Sequence, residues 1–212
     1  MLKKEQGMIS DKTIERLSLY RWLLDTRLES GTTNLFSHQL ASLACVSPAQ
    51  LRRDLMTIGY SGSPGKGYEV ADLAKSISSE LDGEKPTRVA LVGMGNLGRA
   101  IVSFLSGRRS HLNIVASFDT DSEKHGRVIS GCRCYSQDVI EEIVVKENIT
   151  VAILTLPSDA AQLVAERLVK AGVKGILNYA PVPLKVSKKV YLENRDVTSA
   201  LEKVAYFARE GE

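Results

Sequence analysis

The 212-residue chain has little of what announces chemistry: three cysteines and three histidines. Cys45, Cys132 and Cys134 are odd in number, and the opening MLKKEQGMISDK lacks the apolar core of an export signal. A disulfide framework is therefore not expected, and the chain reads as cytoplasmic. Cys132-Arg133-Cys134 is too closely spaced and too isolated for a four-ligand zinc site, so no metal is expected and the cysteines read as structural. No apolar run reaches the ~18 residues of a membrane span, so a membrane partner is not expected. Charge of one sign is scarce as well. Lys and Arg number 28 against 25 Asp and Glu, too small an excess to argue for nucleic acid by itself. All of the net +3 lies in residues 1–68, with nine basic against six acidic side chains, which permits a DNA-binding segment there.

What is present is concentrated in residues 89–107, VALVGMGNLGRAIVSFLSG. Residues 89–92 read as a buried strand and 99–105 as an amphipathic helix. Between them stands Gly93-Met94-Gly95-Asn96-Leu97-Gly98, a G-x-G-x-x-G in the strand–turn–helix context that a dinucleotide fingerprint requires. Gly93 permits the tight turn, Gly95 lets the backbone approach a pyrophosphate, and Gly98 lets helix and strand pack closely. The phosphates then meet the free N–H groups of the helix N-terminus. A second apolar run, 114–118, ends in Asp119, twenty-one residues after Gly98, where a ribose-binding acid is expected.

The N-terminal third reads as helical. Residues 13–28 carry Ile14, Leu17, Leu24 and Leu28 at helical spacing, with Tyr20 and Trp22 near that stripe, Ser10 as cap and Ser30-Gly31 as stop. A short helix over 37–44 places Leu40 and Leu43 inward. The next helix is signposted by Ser47 as cap, Pro48 at the first position and Gln50 at the third, a capping box with a proline start. It presents Leu51, Leu55 and Ile58 to a core and leaves Gln50, Arg52 and Arg53 outside. Two helices joined at Cys45-Val46 resemble a helix-turn-helix whose second helix reads DNA. Arg pairs with guanine and Gln with adenine in the major groove, although Arg52 and Arg53 equally fit a solvated face. Residues 59–68 then fit the hairpin wing of a winged helix, with Lys66 near a phosphate, or a glycine-rich linker. Residues 69–85 form a connecting helix through Val70, Leu73, Ile77 and Leu81, and Pro86 marks the boundary.

Beyond it, strands alternate with helices, the signature of a doubly wound parallel sheet. Strands are expected near 132–135, at 151–156 and at 175–178, with helices over 136–147 and 158–171. Ligands bind at the C-terminal edge of such a sheet, which puts Thr155, Pro157, Asn178 and Tyr179 toward the nicotinamide half of a dinucleotide. A dehydrogenase needs an acid–base group there. His38, His111 and His125 are all misplaced for it, and Tyr179 has no lysine partner. A site without visible catalytic groups reads as a sensor, so no catalytic residue is assigned. Residues 196–210 form an amphipathic helix that must bury its stripe on its own domain or on a second subunit.

Two blocks, SPAQLRRDLMTIGYSGSPGKGYEV and VALVGMGNLGRAIVSF with IVASFDTDSEKHG, resemble the redox-sensing repressors of the Rex family, and residues 154–186 and 195–207 extend the likeness. The resemblance implies an α/β chain. Its parts are an N-terminal winged helix-turn-helix domain (1–80), a Rossmann NAD(H)-binding domain (81–195) and a C-terminal swapped helix (196–212). It further implies a homodimer that binds inverted-repeat operator DNA and releases it when NADH binds, with NAD⁺ competing. By that likeness Gly93, Met94, Gly95, Asn96, Leu97 and Gly98 hold the pyrophosphate and Asp119 the adenosine ribose. Thr155, Pro157, Asn178, Tyr179 and Ala180 line the nicotinamide side. Ser47, Gln50, Arg52, Arg53, Lys66 and Tyr68 meet DNA, Arg16 and Asp196 pair between domains in one state, and Val197 stands at the interdomain switch where the family often places a bulkier apolar residue that reaches into the partner's nicotinamide pocket. The family's wing usually reads D-L-S-x-F-G-x-F-G-K/R-x-G-x-G-Y. Here Asp54-Leu55-Met56-Thr57-Ile58-Gly59 and Ser61-Gly62-Ser63-Pro64 lack both phenylalanines and the basic residue, and Lys66 stands toward the wing's end. Two other readings stay open at this point: a small nicotinamide-dependent oxidoreductase, and a CoA- or nucleotide-binding Rossmann module.

Overall fold

The computed structural model describes residues 9–63, 65–105 and 111–210; the opening stretch, Pro64 and Gly107 lie outside them. The chain divides into two compact units, residues 1–84 and 85–212.

The first unit runs α1 (Asp11–Glu29), β1 (Asn34–Leu35), α2 (Ser37–Leu43), α3 (Pro48–Thr57), β2 (Tyr68–Glu69) and α4 (Val70–Leu81). Ser10 starts α1 by accepting the Thr13 N–H at 3.3 Å. The buried stripe of α1 is Thr13, Leu17, Tyr20, Arg21 and Leu24, narrower than the sequence suggested. Trp22 falls 200° from Tyr20 around a 3.6-residue helix and is exposed, and Ile14 and Leu28 sit at the stripe's edges. Leu17, Leu24, Leu40, Leu51, Leu55, Leu73 and Ile77 are all essentially inaccessible and form one core with Tyr20. Cys45, at φ +53°, makes the turn between α2 and α3, where the Val46 N–H reaches Ala41 O at 3.0 Å.

The expected capping box on α3 is half made. Ser47 Oγ accepts the Gln50 N–H at 3.1 Å, but the Gln50 amide turns to Asp54 Oδ1 at 2.9 Å instead of reaching back. A buried carboxylate one turn on is the stronger acceptor. The wing is closed by two backbone hydrogen bonds between Ser63 and Gly67, at 2.9 and 3.0 Å. Its base is fixed by the antiparallel pairing of β2 with β1, a strand too short to leave a sequence pattern.

The second unit contains β3 (Thr87–Val92), α5 (Asn96–Leu105), β4 (Leu112–Asp119), β5 (Val128–Ile129), β6 (Cys132–Ser136) and α6 (Ile140–Lys146). It continues through β7 (Val151–Leu154), α7 (Ser158–Lys170), β8 (Gly175–Asn178), β9 (Tyr191–Asn194) and α8 (Val197–Glu210). The sheet order is β5-β6-β4-β3-β7-β8-β9, and every pairing except β5–β6 is parallel. Strand order therefore reverses at β3, leaving a crevice between the C-terminal ends of β3 and β7. Val89 and Leu91 face one side with Val102 of α5; Ala90 and Val92 face the other with α6 and α7. Both faces are covered, so β3 reads as a continuous apolar run.

Three details differ from the sequence reading. β7 stops at Leu154, residues 137–139 form a 3-10 turn ahead of α6, and β5 and β9 were not anticipated. In α8 the residues Val197, Leu201, Val204, Tyr206 and Phe207 are each more than half exposed, so its apolar stripe is not docked on its own unit.

Candidate functional site

At the head of the crevice, Gly93 adopts φ +102° and a Cβ there would stand 2.5 Å from Thr155 O, so only glycine fits. A Cβ on Gly98 would overlap the Gly93 carbonyl oxygen, which is why α5 comes so near the strand. Gly95 is different: a Cβ there would meet nothing within 4 Å. Its bare backbone faces open space at the start of α5, where N–H groups have no helical partner. Thr155 Oγ1 donates to Gly93 O at 2.7 Å and so fastens the glycine turn to the end of β7. Asn96 and Leu97 are exposed beside it, with Arg99 Nη2 donating to Asn96 Oδ1 at 2.7 Å. Met94 is fully buried, so only its backbone is available to a ligand.

Asp119 ends β4, 8% exposed. Its Oδ2 accepts the Met94 N–H at 2.7 Å and the Lys124 ammonium at 3.1 Å, and its Oδ1 accepts the Asp121 N–H at 2.9 Å. Burial pushes its pKa up. The Asp121 N–H, the Lys124 ammonium and the Met94 N–H outweigh that and hold the carboxyl below the usual range. Asp119 is thus an ionised acceptor welded to the glycine turn. His125 also meets this residue, its Nε2 lying 2.9 Å from Asp119 O. Sequence reasoning found Asp119 and missed Lys124, whose only signal is a lysine five residues on.

On the far side of the crevice the expected residues have unequal roles. Pro157 is exposed at the start of α7, and Tyr179 is half-buried with its N–H on Leu154 O at 2.8 Å. Asn178 is 1% exposed and fully committed: its Nδ2 donates to Val182 O and Asn194 Oδ1, both at 2.9 Å, and its Oδ1 accepts the Ala180 N–H at 3.0 Å. Ala180 is likewise buried, at 5%. Both were expected as lining residues; the structure makes them the frame of the loop that presents Tyr179.

In the first unit, α3 buries Leu51, Asp54 and Leu55 and turns Arg52, Arg53 and Met56 outward. Arg52 Nη1 donates to Ser37 Oγ at 3.2 Å. Lys66 is exposed on the wing. Tyr68, expected at the DNA surface, is 5% exposed and belongs to the core, because its pairing with Leu35 turns the ring inward. Gln50 is half-buried, and its Nε2 donates to Asp54 Oδ1 at 2.9 Å. Asp54 itself was not anticipated as a site residue. The signal was a lone acid at the position one turn past Leu51, on the face that must be buried. It accepts from Arg16, Tyr20 and Gln50. Arg16 is therefore engaged inside its own unit, while Asp196 Oδ1 accepts the Thr198 N–H at 2.9 Å at the start of α8 and Val197 stands exposed.

Among the described residues no helix is long and apolar enough to cross a membrane, and no cluster of three metal-ligating side chains occurs.

A family described as "Putative DNA-binding protein N-terminus" matches residues 8–55, and one described as "CoA binding domain" matches residues 84–182. The redox-sensing transcriptional repressor Rex of Brevibacillus brevis is 38% identical over 98% of this chain and 99% of its own. Rex of Listeria welshimeri is 37% identical over 97% and 96%. The crystal structure of the Rex-family repressor RSP with β-NAD⁺ and operator DNA has a TM-score of 0.89 at 32% identity, covering 97% of this chain and 94% of that one. RSP with β-NADH has a TM-score of 0.84 at 31% identity, covering 97% and 96%. With relatives more than a third identical over nearly the whole length of both chains, this chain belongs to the Rex family of redox-sensing transcriptional repressors.

Proposed function

We propose that this protein represses transcription by binding inverted-repeat operator DNA as a homodimer and lets go of it when NADH occupies the crevice. The observation that carries the reading is the near-full-length likeness to a repressor solved both with β-NAD⁺ and operator DNA and with β-NADH. In this reading Gly95 and the α5 N-terminus receive the pyrophosphate and Asp119 accepts the adenosine ribose hydroxyls. Pro157 and Tyr179 border the nicotinamide, with Thr155, Asn178 and Ala180 holding that border in shape. The nucleotide is a signal and no reaction is catalysed on it.

The exposed stripe of α8 supports the dimer, since an amphipathic helix of fourteen residues gains its stability by burying that stripe. A dimer also matches two half-sites. In this reading Arg16 and Asp196 pair in one state of the dimer, and there Arg16 shares or exchanges its hold on Asp54. Linkage requires the effect to be reciprocal: whatever factor NADH takes from operator affinity, operator takes from NADH affinity, typically about 5–150-fold.

The description of the second matching family raises CoA as a ligand. CoA carries a phosphate on its adenosine ribose, and the ionised Asp119 is a poor neighbour for it. Fluorescence anisotropy tests the reading, using an operator selected from random DNA and titrating NADH, NAD⁺ and CoA in turn. Release by NADH alone supports it. Sequence-specific binding indifferent to all three would leave a repressor without a redox signal.

A further inference from the structure

We propose that Met56 reads thymine in the operator by packing against its 5-methyl group. The inference rests on the repressor reading above. Since Leu51, Asp54 and Leu55 hold α3 to its unit, the face that enters a groove is the opposite one, with Arg52, Arg53 and Met56 at i, i+1 and i+4. Met56 is 72% exposed, more than any other large apolar side chain among the described residues. An unbranched thioether placed between two arginines on a reading helix faces a partner that is almost wholly polar. In the major groove the thymine methyl is the one apolar feature of the base edges.

The surroundings support the same contact. Met56 borders a recess of about 360 Å³ that Phe36, Arg52, Tyr60 and the wing also line. The recess is preformed. The Tyr60 hydroxyl donates to Asp72 Oδ2 at 3.0 Å, the Tyr60 and Tyr68 rings lie 6.1 Å apart, and a Cβ on Gly62 would strike Tyr68 at 2.8 Å. Phe36, 43% exposed, continues the apolar surface from the start of α2. Arg52, fastened to Ser37, and Lys66 flank it with positive charge suited to phosphates. The recess gives the methionine room to move onto a methyl group when DNA arrives.

The test uses the whole protein and its selected operator, with each thymine replaced in turn by deoxyuridine, which deletes the methyl and keeps the base pairing. Wild-type protein is expected to lose about fourfold in affinity at one position per half-site, the value of one buried methyl group. Met56→Ala is expected to bind the thymine operator more weakly and to show no further loss with deoxyuridine at that position, whereas Met56→Leu keeps the methyl sensitivity. Indifference of the wild type to every replacement, or equal sensitivity in Met56→Ala, overturns the inference and leaves the repressor reading standing. Absence of any sequence-specific DNA binding by the wild type overturns both.

Discussion

Arg16 grips Asp54 through two guanidinium nitrogens, Nε at 2.6 Å and Nη2 at 2.7 Å, and so ties α1 to the reading helix α3. The carboxylate is 1% exposed and also accepts the Tyr20 hydroxyl at 2.9 Å and the Gln50 amide. Burial raises its pKa, and the hydrogen bonds from Arg16, Tyr20 and Gln50 more than reverse this, leaving Asp54 below the ordinary carboxylate range.

Replacing Asp54 with Ala leaves Arg16 and Tyr20 facing a buried vacancy and should cost about 3 kcal/mol of stability. A folded-state pKa held below the unfolded one contributes stability that is complete above the unfolded value. It is lost as pH falls through the folded value. Acid titration of unfolding by urea should therefore show a wild-type loss on the acid side of the carboxylate range that Asp54→Ala lacks.

Gly95 and Gly98 should separate binding from folding. Gly98→Ala forces a methyl against the Gly93 carbonyl, with about 1–3 kcal/mol lost to overpacking. Gly95→Ala meets no protein atom and should leave the melting temperature unchanged while weakening NADH binding. Thermal melts beside NADH fluorescence titrations read both.

Asp119→Ala should abolish the response to NADH without changing operator affinity. Hydrogen bonds to a charged acceptor contribute about 1.5–3 kcal/mol each, so a loss of at least tenfold in NADH affinity is expected. Calorimetric titration of the variant checks this, and undiminished binding would remove the ribose assignment.

Arg53 is exposed and makes no side-chain hydrogen bond or ion pair among the described residues, whereas Arg52 is fastened to Ser37. Arg53→Ala should cost about 1–3 kcal/mol and relax base preference at one position. Arg52→Ala should weaken binding evenly across sequences and lower the salt slope by about one. Competition binding over operator variants at several salt concentrations separates the two roles.

Leu201→Glu with Val204→Glu places charge on the exposed stripe of α8. On the dimer proposed above, sedimentation should show a dimer for the wild type and a monomer for this variant at the same concentration, together with weaker operator binding.

Much of this was legible in the sequence because it answers to local backbone rules. The turn at Gly93 needs a positive φ, the start of α3 needs an acceptor at Ser47, and β3 between two helical layers must be apolar throughout. Each constraint acts within a few residues, so the residue type carries it directly. What the tertiary structure decided concerns groups whose partners lie far along the chain. Asp54 became a buried acceptor because Arg16, thirty-eight residues earlier, lies against it. Tyr68 turned into the core because β2 pairs with a two-residue strand at Asn34–Leu35. Asn178, legible only as a strand-end residue, is spent on Val182 and Asn194, the latter supplied by the unforeseen β9. Periodicity says which face of an element is buried. Which polar group on that face is satisfied, and by whom, is fixed only when the elements meet, because a buried hydrogen bond requires both partners within 3 Å or so of each other.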